Sequence, residues 1–221
     1  MKNKLWKALT VLLLIYVLTA GLYGEVPRQP ILNETVRNLY YHVTMWFSMV
    51  IFLLISLIYS IKYLNSGKIE HDDISSEFVN TGVIFGIVGF TTGAIWGLVT
   101  WGDPLPKDPK ILSVAIAMLA YFAYLVLRGA FEDEQRRARI SSIYNIFAFV
   151  IFNVLIWILP RMTDSLHPGN GGNPGFKIYD SDNIMKPVFY SAIVGWTLLG
   201  LWITTLRIRL KKLNHLIDDR N

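Results

Sequence analysis

Charged residues are missing from six separate stretches of this 221-residue chain, and that pattern limits the fold more than any motif does. The stretches cover about 8–24, 43–61, 78–102, 111–127, 140–160 and 187–206, each 17 to 25 residues long. A helix needs ~17–25 predominantly apolar residues to cross roughly 30 Å of hydrocarbon, and a charge at its centre costs about 2.5–3.5 kcal/mol on insertion. These segments are too long for the ~9–11 residues of a barrel strand, and a helix satisfies its backbone polar groups unaided. The predicted fold class is therefore all-α, a polytopic membrane protein with six transmembrane helices. A single domain over 1–221 is expected, and no internal repeat is present.

The first segment has a second reading. MKNKLWK followed by ALTVLLLIYVLTA has the basic and apolar regions of a secretory signal. Retention is expected, because six spans leave both termini on one side with the basic tail. On that assignment the segments at the terminal side carry 14 Lys and Arg and those opposite carry 7. The excess marks the terminal side as cytoplasmic. The basic runs EDEQRRARI and RIRLKKL then read as contacts with the anionic inner leaflet of the lipid bilayer, not with nucleic acid.

Composition removes several chemistries. The chain has no cysteine, hence no disulfide, no thiolate metal site and no thioether-linked haem of its own. It has no HExxH, nucleophile elbow or phosphate loop, so it is not expected to be an enzyme. In the third span Gly82, Gly86, Gly89, Gly93 and Gly97 fall near one helix face, a close-packing surface first of all. HDDISSE at 71–77 reads as an N-cap pattern ahead of that span, with His71 in a surface capping cluster. His215 in the tail reads as solvated.

The remaining two histidines lie on the outer side. His42 sits where the loop 25–42 enters the second span, and His167 sits in the long loop 161–186, among the turn-forming residues of HPGNGG. Either alone can be an ordinary interfacial residue. As a pair they make a poor zinc site, which takes three or four protein ligands. Haem iron already holds four ring nitrogens, so two axial imidazoles suffice.

Three regions carry a resemblance. They are RNLYYHVTMWFSM at 37–49, TTGAIWGLVTWGDPLPKDPKILS at 91–113 and SLHPGNGG at 165–172. Taken in order, with six spans and two outer histidines, the chain resembles the haem exporter protein C family of cytochrome c maturation (CcmC). The resemblance implies haem b as a transient cargo at the outer face of a bacterial inner membrane. It implies His42 and His167 as axial ligands, Arg37 as a propionate partner, and Trp96, Trp101 and Asp108 as a platform. Lys110 stands where the family usually has Arg. The implied partners are the haem chaperone CcmE, the ABC transporter CcmA with CcmB, and the small subunit CcmD.

The sequence departs from the family in two places. After Trp101 and Gly102, where the family has further tryptophans, it has Asp103, Pro104, Leu105, Pro106 and Lys107, and Thr44 stands where many members have Pro. Two other functions compete with haem delivery. A small-solute permease subunit would carry charges inside its spans, and this chain has none there. A b-type haem electron-transfer subunit would place its histidines within the bundle.

Overall fold

The computed structural model describes residues 4–28, 32–165, 167 and 183–218. Six helices in it are long and apolar enough to cross a membrane. They are α1 (Leu5–Tyr23), α2 (Val43–Ser66), α3 (Ile69–Trp101), α4 (Pro109–Gly129), α5 (Glu134–Asn153) and α6 (Met185–Asp218). No strand occurs among the described residues. Trp6 meets Trp202 edge to face at 5.9 Å and Leu13 lies against Gly195, so α1 and α6 run antiparallel. The start of α1 thus lies toward the C-terminal half of α6, at the terminal end of the bundle. The opposite, distal end carries the entry to α2 and the exit from α3.

Local chemistry sets the boundaries. Gly67 and Gly102 take positive φ, 68° and 77°, and end α2 and α3 in the left-handed conformation that glycine adopts without strain. Asp108 and Asp133 cap α4 and α5 by accepting from the amides of Lys110 (2.9 Å) and Arg136 (2.6 Å). Pro109 follows at the first helical position, where its missing N–H costs nothing. The fifth span, expected as one helix through residue 160, changes form after Asn153. Val154–Ile158 widens to a π-turn and Leu159–Met162 tightens to a 3-10 turn. Pro160 is the cause: in a regular helix its ring would strike the carbonyl four residues back.

Helix α2 packs against α3, α5 and α6, while α1 lies along α6 and α4 along α5. The glycine face of α3 makes the closest approach possible. A methyl group on Gly82 would press on Leu53, and one on Gly86 would sit 2.6 Å from the Met118 sulfur. In the middle of the bundle Asn145 donates to Ser56 (2.7 Å) and Ser60 (2.9 Å), which both meet Ser75. Such bonds tie helices together where apolar contact alone gives no preference over lipid. The outer faces carry Leu12, Leu119, Val126 and Phe147, each more than half exposed, as lipid contact requires.

The segment 71–77 departs from the sequence expectation. It lies inside α3, whose N-cap position is Lys68 with no side-chain cap, and its acids are buried. Asp72 receives both guanidinium nitrogens of Arg128, Asp73 meets Lys211 at 2.8 Å and His215 at 3.2 Å, and Glu77 takes Arg207. Tertiary pairing overrides the capping pattern. His215 is therefore half-buried against Asp73 instead of solvated, whereas His71 bonds Ser66 at the surface of the turn.

Candidate functional site: an aromatic cleft between two histidines

At the distal end the entry to α2, the end of α3, the start of α4 and the π-turn of the fifth span surround an open cleft. It takes in about 1350 Å³ of space, much of it open to the outside. His42 and His167 both line it.

His42 is the N-cap residue of α2. Its Nδ1 lies 2.7 Å from the Gly89 carbonyl. A carbonyl only accepts, so Nδ1 carries the proton and Nε2 keeps its lone pair. The ring occupies space that only glycine leaves: a methyl group on Gly93 would sit 2.9 Å from Nδ1 and closer still to Cε1. Trp96 and Trp46 flank it edge to face at 5.9 Å and 6.2 Å. The Trp96 indole N–H donates to Thr35 Oγ (3.0 Å), and Asn38 donates to the Thr92 carbonyl (2.9 Å), which fixes the 3-10 segment Asn33–Tyr40 onto α3. Thr44 donates its hydroxyl to the Tyr40 carbonyl.

His167 reaches the same cleft from the connection after the fifth span, with its ring 5.0 Å from that of Trp101. Its Nδ1 is buried and lies 3.3 Å from Asp108 Oδ1, close enough for charge to act but not in hydrogen-bond geometry, so the atom has no hydrogen-bond partner. Asp108 is 2% exposed, and the Ser165 hydroxyl meets both of its oxygens at 2.9 and 2.8 Å. Burial holds the His167 imidazole well below its ordinary range, at about 4; Lys110 pushes the same way and Asp108 opposes. At neutral pH the ring is therefore uncharged, the form that binds metal.

The structure gathers most of the residues singled out from sequence. His42, Trp96, Trp101, Lys110 and His167 line the cleft, and Asp108 stands behind His167. Arg37 is not among the lining residues. Its guanidinium is held by Glu34 at 2.6 Å and by the carbonyls of Gly24 and Gly21. Two walls were not anticipated. Trp46 stands one helical turn after His42, a spacing that puts both on one face of α2 and was readable. Trp157 belongs to the π-turn, where helical periodicity fails. Together they bring the cleft to four tryptophans, and Pro104 and Leu105 of the tryptophan-poor loop line it as well.

The donor set fits a tetrapyrrole. Among the described residues no three His, Cys, Asp or Glu side chains gather to hold a bare metal ion. Two imidazoles that line an aromatic cleft, each with Nδ1 facing an oxygen, suit an iron that brings four equatorial nitrogens of its own.

Comparison with known proteins gives the family. The Heme exporter protein C of Rhodobacter capsulatus is 25% identical over 209 residues, 91% of this chain and 83% of that protein. The protein of that name from Haemophilus influenzae is 26% identical over 168 residues, 76% of this chain and 65% of its own length, just under two thirds. A cytochrome c biogenesis protein CcsA from Pelargonium hortorum is 30% identical over 109 residues, 49% of this chain and 32% of its own length. The family model described as Heme exporter protein C matches residues 1–220, and this chain belongs to that family, CcmC.

Proposed function

We propose that this chain holds haem b at the extracytoplasmic face of a bacterial inner membrane, between His42 and His167, and passes it to the chaperone CcmE. Family membership assigns it to haem handling for cytochrome c maturation. The orientation rests on the Lys and Arg excess at the terminal end.

One observation carries the reading. Both histidines line one cleft, and each turns Nδ1 toward an oxygen, leaving Nε2 as the nitrogen for iron. Haem supplies the iron and its four ring nitrogens; the chain supplies the rest. Trp46, Trp96, Trp101 and Trp157 cover the flat apolar macrocycle and keep water from it. Lys110, half-buried at the cleft wall, answers a propionate as a point charge. Arg37 can answer the other only by exchanging its hold on Glu34. With no classical catalytic motif in the sequence, the role proposed is that of a haem-binding and transfer component. CcmA with CcmB, and CcmD, are the partners that the family implies for release of the loaded chaperone.

The test is an absorption spectrum of the purified protein beside His42→Ala and His167→Ala, followed by incubation with the chaperone domain. A low-spin haem spectrum, lost or converted in each variant, with transfer to the chaperone from the wild type, is expected. A wild-type chain that takes up no haem on reconstitution would sink the reading. A haem that cycles with quinol and never transfers would favour an electron-transfer subunit.

A further inference from the structure

We infer that the two histidines are unequal ligands: Asp108 makes His167 the one that retains haem, and His42 is the one that opens first. This rests on the bis-histidine reading above and deepens it.

The two Nδ1 atoms face different acceptors. That of His42 donates to the Gly89 carbonyl, which is neutral and is shared with the Thr92 hydroxyl at 3.0 Å. That of His167 faces a carboxylate at 3.3 Å, and this carboxylate is fixed in place: the Ser165 hydroxyl and the Lys110 amide both donate to it. The Ser165 oxygen in turn accepts from the His167 amide at 3.1 Å, which ties the His167 backbone to the same carboxylate. As the rings stand, only His42 makes its hydrogen bond; His167 Nδ1 has the carboxylate in reach and needs a small ring rotation to bond it. A hydrogen bond to an ionised acceptor is roughly twice as strong as one to a neutral acceptor. Iron at Nε2 makes Nδ1–H a better donor, and the carboxylate draws that proton toward itself. The His167 ring gains anionic character and binds iron more strongly, while His42 stays an ordinary neutral imidazole.

Position reinforces chemistry. His42 is wedged against Gly93 and between two tryptophans of the helix bundle, whereas His167 belongs to a connection. The weaker bond thus joins haem to the bundle and the stronger one joins it to the connecting segment. In handover the iron–Nε2 bond of His42 breaks first, its electron pair returning to the imidazole. A donor side chain of the acceptor protein fills the vacated axial place. The bond to His167 breaks last, and the iron keeps its oxidation state throughout.

The experiment compares haem-loaded His42→Gly and His167→Gly, full-length in detergent, by haem dissociation rate and by the ferrous iron–histidine stretch in resonance Raman. Haem should leave His42→Gly about 10–100-fold more slowly than His167→Gly, the range typical for the partners that orient metal ligands. The stretch in His42→Gly should lie higher. Adding Asp108→Asn, which preserves an N-cap acceptor for α4, should lower the stretch and speed loss in His42→Gly while leaving His167→Gly unchanged. Equal rates and stretches, or slower loss from His167→Gly, would overturn the inequality while a low-spin wild type still upholds two histidine ligands. A wild type without low-spin haem would overturn both.

Discussion

The two ends of the bundle use charge in opposite ways. At the terminal end the buried acids of α3 are each matched by a base from α4 or α6: Asp72 by Arg128, Asp73 by Lys211, Glu77 by Arg207. At the distal end the same helix offers no ionisable side chain to the cleft. It offers the Gly89 carbonyl, the space over Gly93, and two tryptophans. One end is closed by ion pairs and the other is held open by aromatic walls with two neutral imidazoles. The difference teaches where α3 is anchored and where a ligand can enter. Breaking the first end should cost stability, and altering the second should cost haem.

The largest separation is expected from Asp72→Ala. It leaves the Arg128 guanidinium largely buried without its carboxylate. Removing one partner of such a pair costs about 3–5 kcal/mol. Unfolding in mixed micelles should report that loss, while the fraction that stays folded binds haem with a normal low-spin spectrum. If haem affinity fell in step with stability, the two ends would not be separable.

Gly93→Ala should do the reverse. The added methyl would meet the His42 ring, which must tilt away and give up the Gly89 carbonyl. For His42 as the proposed iron ligand, losing the bond that orients it should cost about 10–100-fold in haem affinity. The haem spectrum should shift toward high spin, with the micelle unfolding transition little changed. An unaltered spectrum would mean that the orientation of His42 does not depend on this contact.

These contrasts also mark what the sequence made legible. The spans were readable because the bilayer forbids charge and demands a full turn-by-turn hydrogen-bond ladder, two constraints that act on every residue. The glycine row was readable as packing for the same reason, since its spacing is the helix repeat. HDDISSE misled because a capping pattern is local, while Asp72, Asp73 and Glu77 are claimed by bases 56 to 142 positions away. The cleft was half legible. Topology alone put His42 and His167 on one side, and Trp46 follows from one helical turn. Asp108 behind His167 joins two connections that no periodicity relates. Gly89 acts through a backbone carbonyl, a group every residue has, and so left no mark in the side-chain pattern.

The smallest expected effect sharpens the comparison within the distal end itself. Lys110 lines the cleft, and Arg37 lies outside its lining, clasped by Glu34 and two carbonyls. A solvent-reached ion pair contributes about 0.2–1 kcal/mol. Lys110→Gln should therefore weaken haem binding by roughly two- to five-fold, with the spectrum still low-spin, because a propionate contact holds the macrocycle's edge without touching its iron. Arg37→Gln should leave affinity nearly unchanged and instead loosen the 3-10 segment from the end of α1, readable as faster proteolysis at 25–40. If Arg37→Gln weakened haem as much as Lys110→Gln, the guanidinium would have to exchange Glu34 for a propionate on binding. Glu34→Gln would then tighten haem by freeing it, and titration of that variant decides between the two arrangements.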